Sequence, residues 1–226
     1  MCSSDLQTVV NHIKSHDSAA EGSVKTLPHF DGSEFSQDDM IICRNTAPLI
    51  SLAYSLIGRQ IPCKVLGRDI GVGLIKLIDK LKARDISGPN GLITKLGSWA
   101  QKETERALAK GQEGKVQAID DKVESIGAFI GFASSIEDLK NEINKLFSNK
   151  SNVVTLSTIH KSKGLEADKV FILDPELMPS KWARKEWQTE QERNLMYVAY
   201  TRAKTDLVFI NSDKFVSKTI KNEAAA

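Results

Sequence analysis

Residue types that bind phosphate are concentrated in residues 158–173, which read TIHKSKGLEADKVFIL. The residues concerned are His160, Lys161, Lys163, Gly164 and Glu166. The lysines supply positive charge, and the glycine lets the backbone approach a ligand closely. Glu166 is suited to accept a hydrogen bond from a ribose hydroxyl, and His160 to donate one to a phosphate. These residues indicate a nucleotide or nucleic-acid ligand, although their spacing alone also fits an ordinary glycine turn with solvated lysines.

Two arginines elsewhere in the chain are candidate phosphate ligands. Arg202 lies in residues 191–204, QERNLMYVAYTRAK, near the end of a predicted helix and before a predicted strand. From there a guanidinium can reach across a cleft to a phosphoryl group. Arg44 follows a short apolar run, and parallel sheets place ligand-binding groups after their strands. On spacing alone, Arg202 is equally a solvated surface charge.

Short apolar runs bounded by polar residues predict the buried strands that must position these groups. The predicted strands are residues 40–43, 63–66, 153–157, 169–173 and 206–210. Apolar residues at helical spacing predict a helix after each of the first two strands, and residues 188–203 also read as helical. This alternation predicts an α/β fold with a parallel sheet. The polar residues 1–26 and 216–226 are predicted tails.

Residues 85–149 have a different sequence pattern, which predicts three helices and no convincing strand. An all-helical block between strand-rich segments predicts an insertion into one α/β domain, formed by residues 27–84 and 150–215. Acidic and basic residues are equally prominent in the block, which favours a solvated surface over a DNA-binding face.

The net charge of the 226-residue chain is only +2, so any grip on DNA must come from locally placed cations. No segment approaches the roughly 20 apolar residues of a membrane span, and we expect no membrane partner.

Cysteine and histidine usage predicts neither disulfides nor a metal site. Cys2, Cys43 and Cys63 are scattered and form no CxxC pair, which favours a reducing, cytoplasmic location. His12 and His16 would share one face of a helix, as metal-binding pairs do. No further ligand accompanies them in the pattern of a zinc protease, so a solvated tail is the simpler interpretation.

Three segments together carry a resemblance to a known family. TIHKSKGLE and ERNLMYVAYTRAK closely resemble motifs V and VI of UvrD/Rep-type superfamily 1 helicases, and also the related RecB and AddA helicase–nuclease subunits. Residues 43–67, CRNTAPLISLAYSLIGRQIPCKVLG, are similar to motif IV and the elements after it. The resemblance covers roughly residues 38–210. It implies the second RecA-like motor domain, a P-loop NTPase-like parallel sheet interrupted by a small helical insertion.

The resemblance implies a role for several residues around ATP. Arg44 and Arg202 would contact the γ-phosphate and act in catalysis. Gly164 and Glu166 would lie beside the nucleotide, with Glu166 near the ribose. Mg²⁺ would be bound by an N-terminal RecA-like domain that this chain does not contain.

The resemblance also implies that Thr158, His160 and Lys161 face single-stranded DNA. DNA junctions are a further expected partner. Trp182 and Trp187 lie between motifs V and VI, where they would either stack on bases or pack against the domain. Packing is the interpretation that we favour for both.

The sequence departs from the family in three respects. Cys43 stands where the family often has an aromatic that stacks on adenine, which puts adenine stacking from this position in doubt. The insertion is shorter than in the best-known members. No segment matches GxxxxGK[ST], and no acidic Walker B strand is evident.

The expected function is therefore the C-terminal motor portion of an ATP-dependent DNA helicase or translocase, unable to hydrolyse ATP alone. Its partner would be the N-terminal RecA-like domain of the same protein. Two alternatives remain: a catalytically inactive nucleic-acid-binding or regulatory module, and part of a RecB/AddA-like helicase–nuclease subunit.

Overall fold

A computed structural model describes residues 22–148 and 151–216 of the chain. Its strands are β1 (Ser23–Thr26), β2 (Met40–Cys43), β3 (Cys63–Val65), β4 (Val154–Thr158), β5 (Ala167–Leu173) and β6 (Ala203–Ile210). All strand pairs are parallel, and the order across the sheet is β1-β6-β5-β2-β4-β3. The predicted parallel α/β architecture is confirmed.

The helices cover both faces of the sheet. They are α1 (Thr46–Ile57), α2 (Arg68–Leu81), α3 (Leu92–Ala109), α4 (Glu113–Ile130), α5 (Ile136–Leu146) and α6 (Glu186–Tyr200). Two short 3₁₀ turns lie at Pro175–Leu177 and Ser212–Lys214.

The central strand β2 shows why its sequence is an unbroken apolar run. Ile41 and Cys43 belong to the apolar cluster on one face of the sheet, and Met40 and Ile42 to the cluster on the other. Successive side chains of a strand point to opposite faces, so a strand covered on both sides needs apolar residues at every position. Arg44 directly follows β2 and therefore lies at the carboxyl end of this central strand.

The helical insertion, α3 to α5, shares the core of the sheet rather than forming one of its own. Ile126, Phe129, Leu139 and Ile143 are buried in the same apolar cluster as Ile41. Burial of apolar area therefore joins the insertion to this domain through α1 and α2. Its limits at residues 85 and 149 stay a prediction, since the observed helices begin at residue 92 and end at residue 146.

Part of the predicted N-terminal tail is wrong, because Ser23–Thr26 forms the edge strand β1. It pairs with β6, with Ser23 opposite Asp206. The segment has no apolar run, since two of its four residues are exposed, so its neighbour decides its conformation. Phe30 and Phe35 also belong to the core. The remaining predicted features of residues 1–21, including Cys2, His12 and His16, lie outside the described residues.

The end of the last helix also differs from the prediction. Helix α6 stops at Tyr200 rather than at residue 203, and β6 begins at Ala203 rather than at residue 206. The N–H groups of Thr201 and Arg202 close the helix by donating to the carbonyls of Tyr197 and Ala199. Arg202 is therefore a turn residue between two elements. Over residues 22–148 and 151–216, no helix has the length and apolarity needed to cross a membrane.

Candidate functional site

A cleft of about 500 Å³ opens beside the residues that follow β2 and β4. Cys43 and Thr158 are paired in register at the ends of these strands, so Arg44 and the loop of residues 159–166 leave the sheet side by side. Helix α6 forms the opposite wall. Its lining includes Arg44, Gln117, His160, Lys163, Trp187 and Glu192.

Arg44 and Glu192 form the central ion pair of this cleft. Nε of Arg44 donates to Oε2 of Glu192 at 3.1 Å, and Nη2 donates to Oε1 at 2.8 Å. The side chains are only 14% and 11% exposed. A bidentate pair of this kind fixes the direction of the guanidinium as well as compensating its charge.

Ser180 completes the surroundings of the Glu192 carboxylate. Its backbone N–H donates to Oε2 of Glu192 at 2.9 Å. Burial acts to raise the pKa of Glu192, but the hydrogen bonds from Arg44 and from the Ser180 N–H outweigh it and hold the pKa below its ordinary value. Glu192 is therefore an ionised anchor for Arg44.

The helical insertion contacts the same arginine through Gln117 on α4. Oε1 of Gln117 accepts from Nη2 of Arg44 at 3.2 Å and from Oγ of Ser180 at 2.6 Å. One turn further along α4, the Asp121 carboxylate accepts from the N–H of Thr46 at 2.6 Å and from its hydroxyl at 2.8 Å. The insertion thus binds the polar groups at the start of α1, directly beside Arg44.

The loop after β4 presents cations on the facing wall. His160 and Lys163 are exposed and line the cleft, while Lys161 forms an ion pair with Asp69 at 2.7 Å. Desolvation by the cleft walls lowers the pKa of His160, and the positive charges of Arg44 and Lys163 lower it further. Gly164 has a φ of +83°, which favours glycine, and lies on the exposed side of the loop.

Arg202 ties the end of α6 to this loop. Its Nε donates to the carbonyl of Val198 at 2.9 Å, and its Nη1 to the carbonyl of Leu165 at 3.0 Å. Its Nη2 donates to the hydroxyl of Thr201 at 3.1 Å. Eight residue steps along β5 separate the level of Arg202 from that of Arg44, which is about 26 Å along the strand direction. No described contact joins the two arginines.

The structure therefore brings only some of the predicted site residues together. Arg44 and His160 line one cleft, whereas Glu166 lines a separate cavity of about 300 Å³ near Asp39. Thr158 is only 7% exposed. Of the three residues predicted to face DNA, His160 and Lys161 present side chains at the surface.

The predicted packing of Trp187 is wrong, because this side chain is 55% exposed. Trp182 is partly buried, and within the described residues its indole N–H has no hydrogen-bond partner. Cys43 is fully buried, and burial raises the pKa of its thiol. Its side chain therefore offers no surface on which a base could stack.

Sequence reasoning missed Glu192, Gln117 and Ser180. Glu192 carries a weak signal, since a glutamate on an apolar helix face needs a partner if it is buried. No local pattern names that partner, because Arg44 lies 148 positions away in the sequence.

Comparison with known proteins decides the family. Residues 94–214, more than half of the chain, match the family described as the UvrD-like helicase C-terminal domain. The chain belongs to this family. The matched residues include the loop after β4 and the whole of α6, and the RecA-like parallel sheet agrees with the assignment.

Helicase relatives of this UvrD-like domain are longer proteins. A probable DNA helicase II homolog of Rickettsia conorii is 27% identical over 171 residues, which cover 60% of this chain and 25% of the relative. The ATP-dependent DNA helicase Rep of Buchnera aphidicola subsp. Schizaphis graminum is 38% identical over 76 residues, which cover 33% of this chain and 11% of the relative. The chain thus spans a quarter or less of these helicases.

One match points to another class of protein. Histidinol-phosphate aminotransferase 2 of Haemophilus influenzae is 28% identical over 178 residues, which cover 77% of this chain and 43% of the relative. The family match, the helicase relatives and the three motifs all agree on a UvrD-like domain, and they outweigh this match.

Proposed function

We propose that this UvrD-like domain is the second motor domain of an ATP-dependent DNA helicase or translocase. The proposal is supported by the family and by relatives that are named DNA helicases. The observation that carries it is the Arg44–Glu192 pair, which holds a motif IV arginine and the motif VI helix together at one cleft.

Arg44 is suited to bind the terminal phosphate of ATP. Glu192 and Gln117 occupy its Nε and Nη2, and within the described residues its Nη1 has no hydrogen-bond partner. A guanidinium fixed in this way offers the two N–H donors of Nη1 to a ligand without reorganising, which is the basis of electrostatic preorganisation. The phosphate-cradling loop and the Mg²⁺ ligands would belong to the N-terminal RecA-like domain.

Arg202 would contribute by joining the loop after β4 to α6. Its bond to the Leu165 carbonyl couples residues 159–166 to the helix that carries Glu192. A change at the nucleotide would therefore be transmitted to the loop that carries His160 and Lys161. The place of Gly164 and Glu166 beside the nucleotide stays a prediction, since Glu166 lines a cavity separate from the Arg44 cleft.

DNA would be held by His160 and Lys161. The Thr158 carbonyl accepts hydrogen bonds from the N–H groups of Lys161 and Ser162, both at 2.9 Å. Thr158 therefore stabilises the turn that carries Lys161. Movement of this turn during ATP turnover would change how tightly His160 and Lys161 bind the DNA backbone, which is what translocation requires.

The test uses the intact protein that contains this chain. Arg44→Ala should lower DNA-stimulated ATPase by about 10³-fold or more, and Arg202→Ala should also lower it by uncoupling the loop from α6, while the Kd for single-stranded DNA changes little in both variants. Arg106→Ala is the matched control, because Arg106 is exposed and, within the part of the chain that the structure describes, pairs only with Glu103 on the insertion. Robust ATP turnover by the 226-residue chain alone, or equal loss of ATPase and DNA binding, would contradict the proposal.

A second candidate is a module that binds DNA without hydrolysing ATP. The bonds from Arg202 to two backbone carbonyls favour it, since a purely structural arginine would make the same contacts. In that case Arg202→Ala would lower the melting temperature, and DNA affinity would not respond to ATP or to Arg44→Ala.

A further inference from the structure

Trp187 is an exposed aromatic residue in the wall of the cleft. It is the second residue of α6, its side chain is 55% exposed, and it lines the same cleft as Arg44 and Lys163. Leaving an indole in water forfeits the free energy of burying a large apolar side chain. Such a side chain at the mouth of a cleft indicates a ligand with a flat apolar face.

The charges around Trp187 indicate an anionic ligand. Residues 181–187 contain three cations, Lys181, Arg184 and Lys185, and one carboxylate, Glu186. Across the cleft, Lys163 forms no ion pair within the described residues. Lys185 is partly compensated by Glu113 at 4.0 Å. Among the described residues that line the cleft itself, the cations Arg44 and Lys163 outnumber the carboxylate Glu192.

The shape and the remaining lining fit a nucleotide. The cleft volume of about 500 Å³ lies within the usual range for small-ligand sites. The lining face of α6 runs from Trp187 to Val198, about 16 Å. Gln188, Gln191 and Asn194 line it with amide groups that both donate and accept, as the edge of a base requires.

We propose that Trp187 stacks on the base of a nucleotide bound in this cleft, with its phosphate held by Lys163, and by Arg44 as well where the nucleotide is ATP. The nucleotide is either free ATP or one unit of single-stranded DNA, which share this chemistry. The proposal deepens the function above, because the cleft is the same. It also assigns an aromatic surface to a domain in which Cys43 is buried and offers none.

The experiment measures Kd for the 226-residue chain in two arms, fluorescently labelled ATP and a fluorescently labelled oligo(dT). Trp187→Ala should weaken binding by roughly 5- to 150-fold in at least one arm, the range for loss of one stacked base. Trp187→Phe should retain most of the affinity, since a phenyl ring still stacks. The arm that responds identifies the source of the nucleotide.

Phe132→Ala is the matched control, because Phe132 is 53% exposed but lies on the insertion outside this cleft. It should bind like the unsubstituted chain in both arms. Circular dichroism should show equal folding of the Trp187 and Phe132 variants.

Two results would overturn the proposal. The first is affinity of Trp187→Ala equal to that of Phe132→Ala in both arms, and the second is no binding by the unsubstituted chain in either arm. Neither result touches the proposed function, which is tested by the ATPase of the Arg44 and Arg202 variants in the intact protein. In the DNA arm, Lys163→Ala should reduce the slope of log Kd against log salt by about 0.7, whereas Trp187→Ala should leave it unchanged.

Discussion

Arg44 and Glu192 are joined across the cleft, with 2.8 Å between Nη2 and Oε1, although 148 positions separate them in the sequence. The pair connects the end of the central strand β2 to the helix α6. Because both side chains are largely withdrawn from water, each charge depends on the other for compensation. The pair is therefore both a structural connection and the means of orienting Arg44, the arginine that we propose binds phosphate.

Removing the Glu192 carboxylate should destabilise the fold. Glu192→Ala leaves a buried guanidinium without a counter-charge, and we expect the free energy of unfolding to fall by about 3 kcal/mol. Urea denaturation of the chain measures it. Glu103→Ala is the control, since Glu103 pairs with Arg106 at the same 2.8 Å but on the exposed surface. It should cost less than about 1 kcal/mol. Equal losses would show that burial of the Arg44–Glu192 pair is unimportant.

The Glu192 carboxylate should also make the free energy of unfolding depend on pH. The pKa of Glu192 is lower in the folded protein than its ordinary value of 4.5. Its stabilising effect is therefore fully present above pH 4.5 and is lost as the pH falls through the folded pKa. Glu192→Gln cannot titrate, so the difference in unfolding free energy between the two proteins should shrink on acidification. A difference that stays constant down to about pH 3 would exclude the ionised carboxylate as its source.

His160 predicts a second pH effect, on ligand binding. Desolvation and the charges of Arg44 and Lys163 lower its pKa, so the ring is neutral at pH 7. Protonation below its folded pKa adds a positive charge to the cleft. Affinity for oligo(dT) should therefore rise once the pH falls below the ordinary histidine value of 6.5 and approaches the folded pKa. His160→Gln should remove the rise, and an identical pH profile in this variant would show that another group is responsible.

Asp121 predicts that the insertion stabilises the motif IV segment. Asp121→Ala leaves the buried N–H and hydroxyl of Thr46 without their acceptor, at a cost of about 1 to 3 kcal/mol. Asp120→Ala is the control, because the neighbouring Asp120 makes no side-chain hydrogen bond within the described part of the chain. Thermal unfolding compares the two variants. Similar melting temperatures would indicate that water replaces the carboxylate at Thr46.

The candidate site was predictable where it depends on the ends of strands. Arg44 and His160 each follow an apolar run, and parallel strands deliver their next residues to one edge of the sheet. Glu166 was predicted beside the same nucleotide, but the loop after β4 travels back along the sheet before β5 begins, which carries Glu166 to another cavity. The position of Trp187 was predicted wrongly, because hydropathy states what a side chain prefers and not whether a neighbour is available to cover it.

The sequence by itself determined the parallel α/β fold, the helical insertion and the family, because apolar periodicity and ordered motifs are local properties of the chain. Tertiary structure alone decided which polar groups meet. Glu192 and Gln117 reach Arg44 only because α6 packs on one face of the sheet while α4 packs against α1 on the other. Such contacts depend on the angle and register of packed helices, which the whole core sets. The sequence around each residue therefore does not predict them.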